Sequence, residues 1–119
     1  MNVTLAEIYD MKEPLSRLSK EPIKLRIAFK LNRLIKEVNN NLNMIEEERV
    51  KLIQKLGIED PETGRLSVPD ENHKEFQDDY TELMKEKIDL DFEPINVEYF
   101  ENIKLTTQDM IRLSVLFEE

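Results

Sequence analysis

The chain has 119 residues and a net charge of -9, which predicts one domain spanning residues 1–119 and disfavours binding to duplex nucleic acid. It contains no cysteine and only two glycines, which excludes disulfides, thiolate metal sites, a dinucleotide-binding fingerprint and a phosphate-binding loop. It has no apolar run long enough to span a membrane and no basic signal sequence, so we expect an intracellular protein without a membrane partner.

The N-terminal segment, residues 1–20, is predicted to be helical. Thr4 is followed three residues later by Glu7, the spacing of a capping box in which each residue satisfies the other's backbone amide. Pro14 lies inside the same segment, and it lacks an amide hydrogen and crowds the preceding turn. We therefore expect a kink or a break near Lys12.

Residues 22–57 are predicted to form one long helix. Apolar residues recur at alternating intervals of three and four, which places them on one stripe. The run of asparagines within 39–43 weakens helix propensity, but the stripe continues through it, and Gly57 is predicted to cap the helix in a left-handed conformation. Such a helix is about 50 Å long, whereas a compact chain of this size is about 35 Å across, so one end should protrude.

The stripe is predicted to be the seam of a homo-oligomer, because it is longer than any partner helix within the chain can cover. The seam residues are Leu31, Ile35, Val38, Leu42, Ile45, Arg49, Leu52 and Leu56. Arg49 is the one charge in the seam. Its stem can pack while its guanidinium reaches Glu46 or a carboxylate of the next helix. Alternatively, it selects one helix register over others.

The opposite face of the first half of this helix is basic. It carries Lys24, Arg26, Lys30, Arg33 and Lys36. Cations near a helix N-terminus oppose the helix dipole, so another group should compensate for them. We expect that group to be the acidic C-terminal half of the same or a neighbouring copy, or alternatively a bound anion such as an oligonucleotide or a signalling nucleotide.

A loop over 58–72 and a second helix over 71–87 are predicted to follow. The loop has the turn residues Asp, Pro and Gly, and Asp70 or Asn72 is placed to cap the helix. Apolar residues spaced by three and four indicate that this helix packs antiparallel on the long one.

The last segments are predicted to be short strands within 88–105, paired as a small C-terminal hairpin, and a short helix over 106–117 capped by Thr106 or Thr107. The predicted fold class is therefore mainly α with minor β. It combines a long amphipathic helix, an antiparallel partner helix, a C-terminal hairpin and a short helix.

No catalytic, cofactor-binding or metal-binding residue is predicted. His73 is the only histidine and stands at a predicted helix start, where we interpret it as a solvated residue. The carboxylate clusters lack the ligand spacing of a calcium loop and are interpreted as solvated surface. We therefore expect a protein that is not an enzyme.

Four stretches resemble a family of small, uncharacterised proteins encoded by tailed phages and prophages of Gram-positive bacteria. The stretches are Ala6–Tyr9, Leu52–Gly57, Phe76–Leu90 and Leu105–Met110. The resemblance implies a phage accessory protein, and it implies no functional residue.

The expected function is a non-enzymatic phage accessory protein in the host cytoplasm. It would self-associate through its long helix and act by binding an unidentified protein, such as a host factor. One alternative is an oligomeric anti-defence protein that sequesters an anionic, cyclic nucleotide signal on the basic helix face. A second alternative is a component of the virion or of its assembly.

Overall fold

The computed structural model describes residues 1–118, which are mainly α-helical with minor β structure, as predicted. The α-helices of this part of the chain are α1 (Leu5–Leu18), α2 (Leu25–Leu56), α3 (Asp70–Met84) and α4 (Thr107–Arg112). Its strands are β1 (Asn2–Thr4), β2 (Ile58–Glu59), β3 (Leu66–Ser67), β4 (Lys87–Asp89), β5 (Ile95–Asn96) and β6 (Phe117–Glu118). Short 3-10 helices cover Val97–Phe100 and Ser114–Leu116.

Helix α1 begins with the predicted capping box. The Thr4 hydroxyl accepts a hydrogen bond from the Glu7 amide at 3.1 Å, and the Glu7 carboxylate accepts one from the Thr4 amide at 3.0 Å. The predicted break near Lys12 is wrong, because α1 continues through Pro14. Pro14 is buried with Met11 and other apolar side chains of α1, and this packing offsets the backbone hydrogen bond that proline removes.

Replacing Thr4 with alanine is expected to lower the free energy of unfolding by about 1 kcal/mol, since it removes the side-chain half of the capping box. Thr81→Ala, an exposed site in α3, is the control and should change stability by less than about 0.5 kcal/mol. Urea denaturation measures both values. Equal effects of the two substitutions would show that the capping box does not stabilise α1.

Helix α2 is continuous through residues 39–43 and makes the molecule elongated. The molecule measures 55 × 27 × 24 Å, in agreement with the predicted protrusion. The Asn41 side chain donates to the Glu37 carbonyl at 2.9 Å and so stays within the helix. The predicted left-handed cap at Gly57 is wrong, since Gly57 is extended with φ -86°. A side chain there would place its Cβ 2.3 Å from the Ile53 carbonyl oxygen, so the close approach requires glycine.

The predicted oligomer seam needs correction, because α1 covers much of it within one chain. Tyr9, near the start of α1, lies beside Glu46, whereas Ser19, just after its end, lies beside Ile35, so α1 runs antiparallel to α2. Leu31, Val38, Ile45 and Leu56 are buried, and Ile35, Leu42, Arg49 and Leu52 are half-buried. The buried members are core residues and cannot contact a second copy unless the fold opens.

Helix α3 packs antiparallel on the second half of α2, as predicted. At the start of α3, the side-chain amide of Asn72 donates to the Leu56 carbonyl at 2.9 Å. Further along α3, Tyr80 lies beside Arg49. The predicted caps at Asp70 and Asn72 are wrong, because Pro69 occupies the N-cap position. The Asn72 side chain instead satisfies a carbonyl at the end of α2.

The predicted loop over 58–72 contains a short hairpin in which β2 pairs antiparallel with β3. The turn between the strands includes Gly64 at φ +73°, a conformation that glycine adopts without strain. Asp60 and Arg65 close the turn, since the Asp60 amide donates to the Arg65 carbonyl at 2.9 Å.

The predicted hairpin within 88–105 is wrong. Strand β4 pairs antiparallel with β1, which places Ile88 opposite the buried Val3. Strand β5 pairs in parallel with β6. Residues 97–100 form a 3-10 helix, and residues 103–105 form no strand. The alternation of apolar and polar residues correctly indicated strands at β4 and β5, but their partner strands, β1 and β6, lie near the two ends of the chain.

Helix α4 starts where predicted and ends earlier than the predicted residue 117. The Thr106 hydroxyl accepts from the Asp109 amide at 3.0 Å, which confirms the N-cap. The Asp109 carboxylate is buried and pairs with the Arg17 guanidinium of α1. A second pair joins the same two helices, with 3.7 Å between Arg112 and Glu13.

Candidate functional site

We call the five exposed cations at the start of α2 the basic surface. Lys24 is the N-cap residue, and the others lie on the first half of the helix: Arg26, Lys30, Arg33 and Lys36. Arg33 is paired within the chain, with its Nη2 atom 3.5 Å from the Asp91 carboxylate. The other members form no ion pair within residues 1–118. The acidic C-terminal half of the same copy therefore compensates for one of the five charges.

A shallow cavity of about 230 Å³ adjoins the basic surface at Lys30 and Arg33. Asp91 and Glu93 line the same cavity, so its two cations face two carboxylates. Carboxylates in the same cavity reduce the positive potential that an anion would experience there. This part of the basic surface is therefore poorly suited to an anionic ligand.

Two large apolar side chains are exposed at the start of α2, and we call Leu25 and Phe29 the apolar pair. Leu25 is 86% exposed and Phe29 is 64% exposed, one helical turn apart. They lie on the side of α2 opposite Leu31 and Leu34, which are buried. This pair was not predicted, because the apolar spacing of α2 points to the buried stripe. The signal for the pair was the presence of two large apolar residues on the side opposite that stripe.

The other end of α2 joins β2, β3 and α3 in a two-helix extension, here called the acidic arm (residues 50–84). Helix α3 carries six acidic residues and one lysine, a net charge of -5 with His73 neutral. None of its residues is fully buried. The rings of Phe76 and Tyr80 stack at 6.1 Å, and the Lys55 ammonium lies 4.0 Å from the Glu75 carboxylate.

A cleft of about 550 Å³ opens where α1, α2 and α3 meet. It is lined by Tyr9, Lys12, Asn39, Leu42, Asn43, Ile45, Glu46, Arg49 and Tyr80. Leu42 and Ile45 belong to the hydrophobic core or pack against it, so they supply the apolar part of the wall. Three of the lining residues, Leu42, Ile45 and Arg49, were predicted to lie in the seam, but the cleft that three helices form around them was not predicted.

Arg49 is held at the edge of the cleft by Glu46. The guanidinium donates to both carboxylate oxygens, at 2.6 and 3.0 Å, which confirms the interpretation that its charge reaches Glu46. The hydrogen bond lowers the pKa of Glu46 and raises the pKa of Arg49. Burial raises the pKa of the Tyr80 hydroxyl. Arg49 and Glu46 are therefore charged and Tyr80 neutral at neutral pH.

His73 is exposed, and its Nε2 atom lies 2.7 Å from the Val68 carbonyl oxygen, so its contacts are local. Among residues 1–118, no three histidine, cysteine or carboxylate side chains are placed to hold a metal ion. In the same residues, no helix combines the length and the apolar character that crossing a membrane requires. Comparisons with protein-family models, curated proteins and solved structures found no match.

Proposed function

We propose that this protein is a non-enzymatic phage accessory protein that self-associates and acts in the host cytoplasm through protein–protein contacts. The phage assignment comes from the resemblance of the four sequence stretches given above. The observation that carries the interaction role is the apolar pair, whose exposed side chains stand beside the basic surface at one end of α2.

The acidic arm of a second copy is the partner that fits the apolar pair. Leu25 and the start of α3 lie at opposite ends of α2, because Asn72 of α3 bonds to Leu56. One chain therefore cannot bring its own pair onto the start of its own α3. Two antiparallel copies can bring the apolar pair of each onto the start of α3 of the other. A two-fold axis then relates the two identical contacts, so neither copy keeps an unoccupied contact surface.

Charge complementarity supports this arrangement. Four cations of the basic surface lack a partner within residues 1–118, and α3 carries a net charge of -5. Bringing the two together relieves the unfavourable position of the cations at the N-terminal end of α2. The half-buried apolar side chains of α3, such as Phe76, supply area against which the apolar pair can pack.

The proposed contact replaces the predicted seam, whose central residues Leu31, Val38 and Ile45 are core residues of one chain. The alternative in which the basic surface sequesters a nucleotide has weaker support. The cavity beside this surface contains Asp91 and Glu93 together with Lys30 and Arg33, so it offers a small anion no excess of positive charge. In contrast, Lys24, Arg26 and Lys36 lie outside the cavity, where an acidic helix can reach them.

We expect light scattering at about 50 μM, a concentration at which a micromolar dimer forms, to give twice the chain mass of 14.2 kDa. Leu25→Ser/Phe29→Ser should return the monomer mass, because it removes the apolar contact. Met44→Ser is the matched control, an exposed apolar residue on the same helix, and it should stay dimeric.

Charge reversal distinguishes dimerisation through the proposed contact from dimerisation through another surface. Arg26→Glu/Lys30→Glu should weaken the dimer, and adding Asp78→Lys/Asp79→Lys on α3 should restore it, because opposite charges then meet again. A monomeric wild-type protein, or a Met44→Ser variant that dissociates as the pair variant does, would overturn the proposal.

A further inference from the structure

We propose that the cleft between α1, α2 and α3 binds a mononucleotide, with the phosphate at Lys12 and Arg49 and the base at Asn39 and Asn43. This inference does not depend on self-association, because every residue involved comes from one chain. The cleft volume of about 550 Å³ falls within the range of about 300–1,000 Å³ that is usual for small-molecule sites.

The polar side chains of the cleft have hydrogen-bonding capacity that the protein itself does not use. Within residues 1–118, the Lys12 ammonium, the Asn39 and Asn43 amides and the Tyr9 and Tyr80 hydroxyls make no hydrogen bond or ion pair. Asn41, between the two amides on α2, contrasts with them because its side chain bonds to the Glu37 carbonyl. These five polar groups, of which all but Tyr80 belong to exposed residues, line one cleft, where a ligand can replace the water that hydrates them.

The charge of the cleft favours an anion. Arg49 and Glu46 form an ion pair and largely cancel each other, so Lys12 supplies the net charge of +1 that the lining carries. Glu46 holds the Arg49 guanidinium by two of its nitrogens, which fixes its position and leaves further N–H groups free to donate. A phosphate group can accept from both the fixed guanidinium and the lysine ammonium.

The remaining side chains fit a planar heteroaromatic group. Asn39 and Asn43 are four residues apart on α2, so their side chains lie on one face about 6 Å apart. Amides at such positions donate to and accept from the edge of a base. Tyr80 is stacked on Phe76, which holds its ring beside Arg49, so its hydroxyl can donate to the phosphate at that end of the cleft.

Isothermal titration calorimetry with AMP, GMP and UMP tests the proposal, with adenosine and inorganic phosphate as the two part-ligands. We expect at least one nucleotide to bind with a Kd below about 100 μM, and each part-ligand to bind at least about tenfold more weakly, since each satisfies half of the site. A nucleotide present at 100 times its Kd should also raise the melting temperature.

Variants locate the binding. Lys12→Ala and Asn39→Ala/Asn43→Ala should each weaken nucleotide binding by at least about tenfold, the loss of roughly one charged or two neutral hydrogen bonds. These side chains are exposed, so circular dichroism should show an unchanged fold. Arg26→Ala/Lys30→Ala removes two cations from the basic surface and is the matched control, with unchanged affinity.

Three results would overturn the proposal. They are the absence of heat from all three nucleotides at millimolar concentration, an unchanged affinity in the Lys12 and asparagine variants, and a loss of affinity in the Arg26/Lys30 control. The last result would place the nucleotide on the basic surface instead. Since Lys12, Asn39 and Asn43 lie outside the proposed dimer contact, failure here would leave the dimerisation test unaffected.

Discussion

Met11→Ala is expected to lower the free energy of unfolding by about 3 kcal/mol and the melting temperature by roughly 12 °C. Met11 lies on α1 and is fully buried, at 0% exposure. Truncating its side chain removes apolar contacts between α1 and the core and leaves a cavity that the surrounding helices fill incompletely. Because α1 packs on the apolar stripe of α2, the substitution should destabilise the whole domain and not α1 alone.

Met44→Ala is the matched control, since it makes the same substitution at a helical residue that is 57% exposed. Its effect should be below about 0.5 kcal/mol, and alanine's higher helix propensity can make it stabilising. Urea denaturation of both variants at low protein concentration gives the comparison. Similar losses at Met11 and Met44 would contradict the packing of α1 on α2.

Arg17→Ala is expected to lower the free energy of unfolding by about 2 kcal/mol, because it leaves the Asp109 carboxylate buried without its partner. The value is below the usual cost of breaking a fully buried pair, since the Arg17 side chain itself is half exposed to water. The same substitution should loosen the contact between α1 and α4. Hydrogen exchange at the amides of α4 measures that local effect.

Arg33→Ala is the control for the Arg17 experiment, because the Arg33–Asp91 pair is exposed on both sides and separated by 3.5 Å. Exposed pairs contribute less than about 1 kcal/mol. The double variant Arg17→Ala/Asp109→Asn should recover part of the stability that Arg17→Ala loses, since it removes the unpaired charge. If Arg17→Ala costs no more than Arg33→Ala, the buried pair does not stabilise the fold.

Local signals in the sequence predicted which segments are helical, and they predicted the N-caps of α1 and α4 but not that of α3. The capping boundaries at Thr4 and Thr106 were correct, because a side chain that bonds to a backbone amide three residues later needs nothing from the rest of the chain. The continuity and length of α2 also followed from its apolar spacing, and with them the elongated shape. Interruptions expected from single residues, such as Pro14, did not follow, because packing outweighed local propensity.

The candidate sites were predicted only in part. The sequence identified the basic surface and the contact of Arg49 with Glu46, since both depend on spacing along one helix. It did not predict the cleft, whose walls come from α1, α2 and α3. Tyr9 and Tyr80 are far apart in the sequence, and no periodic pattern relates one to the other.

The sequence by itself therefore determined which side chains share a face, and the tertiary structure decided what covers that face. The stripe through Val38 and Ile45 has the same spacing whether α1 or a second copy packs on it, so periodicity could not choose between them. Pairing of β1 with β4 was decided in the same way. It depends on the three-dimensional arrangement of α1, α2 and α3, which brings residues from the two halves of the chain together and offsets the entropy lost on closing so long a loop.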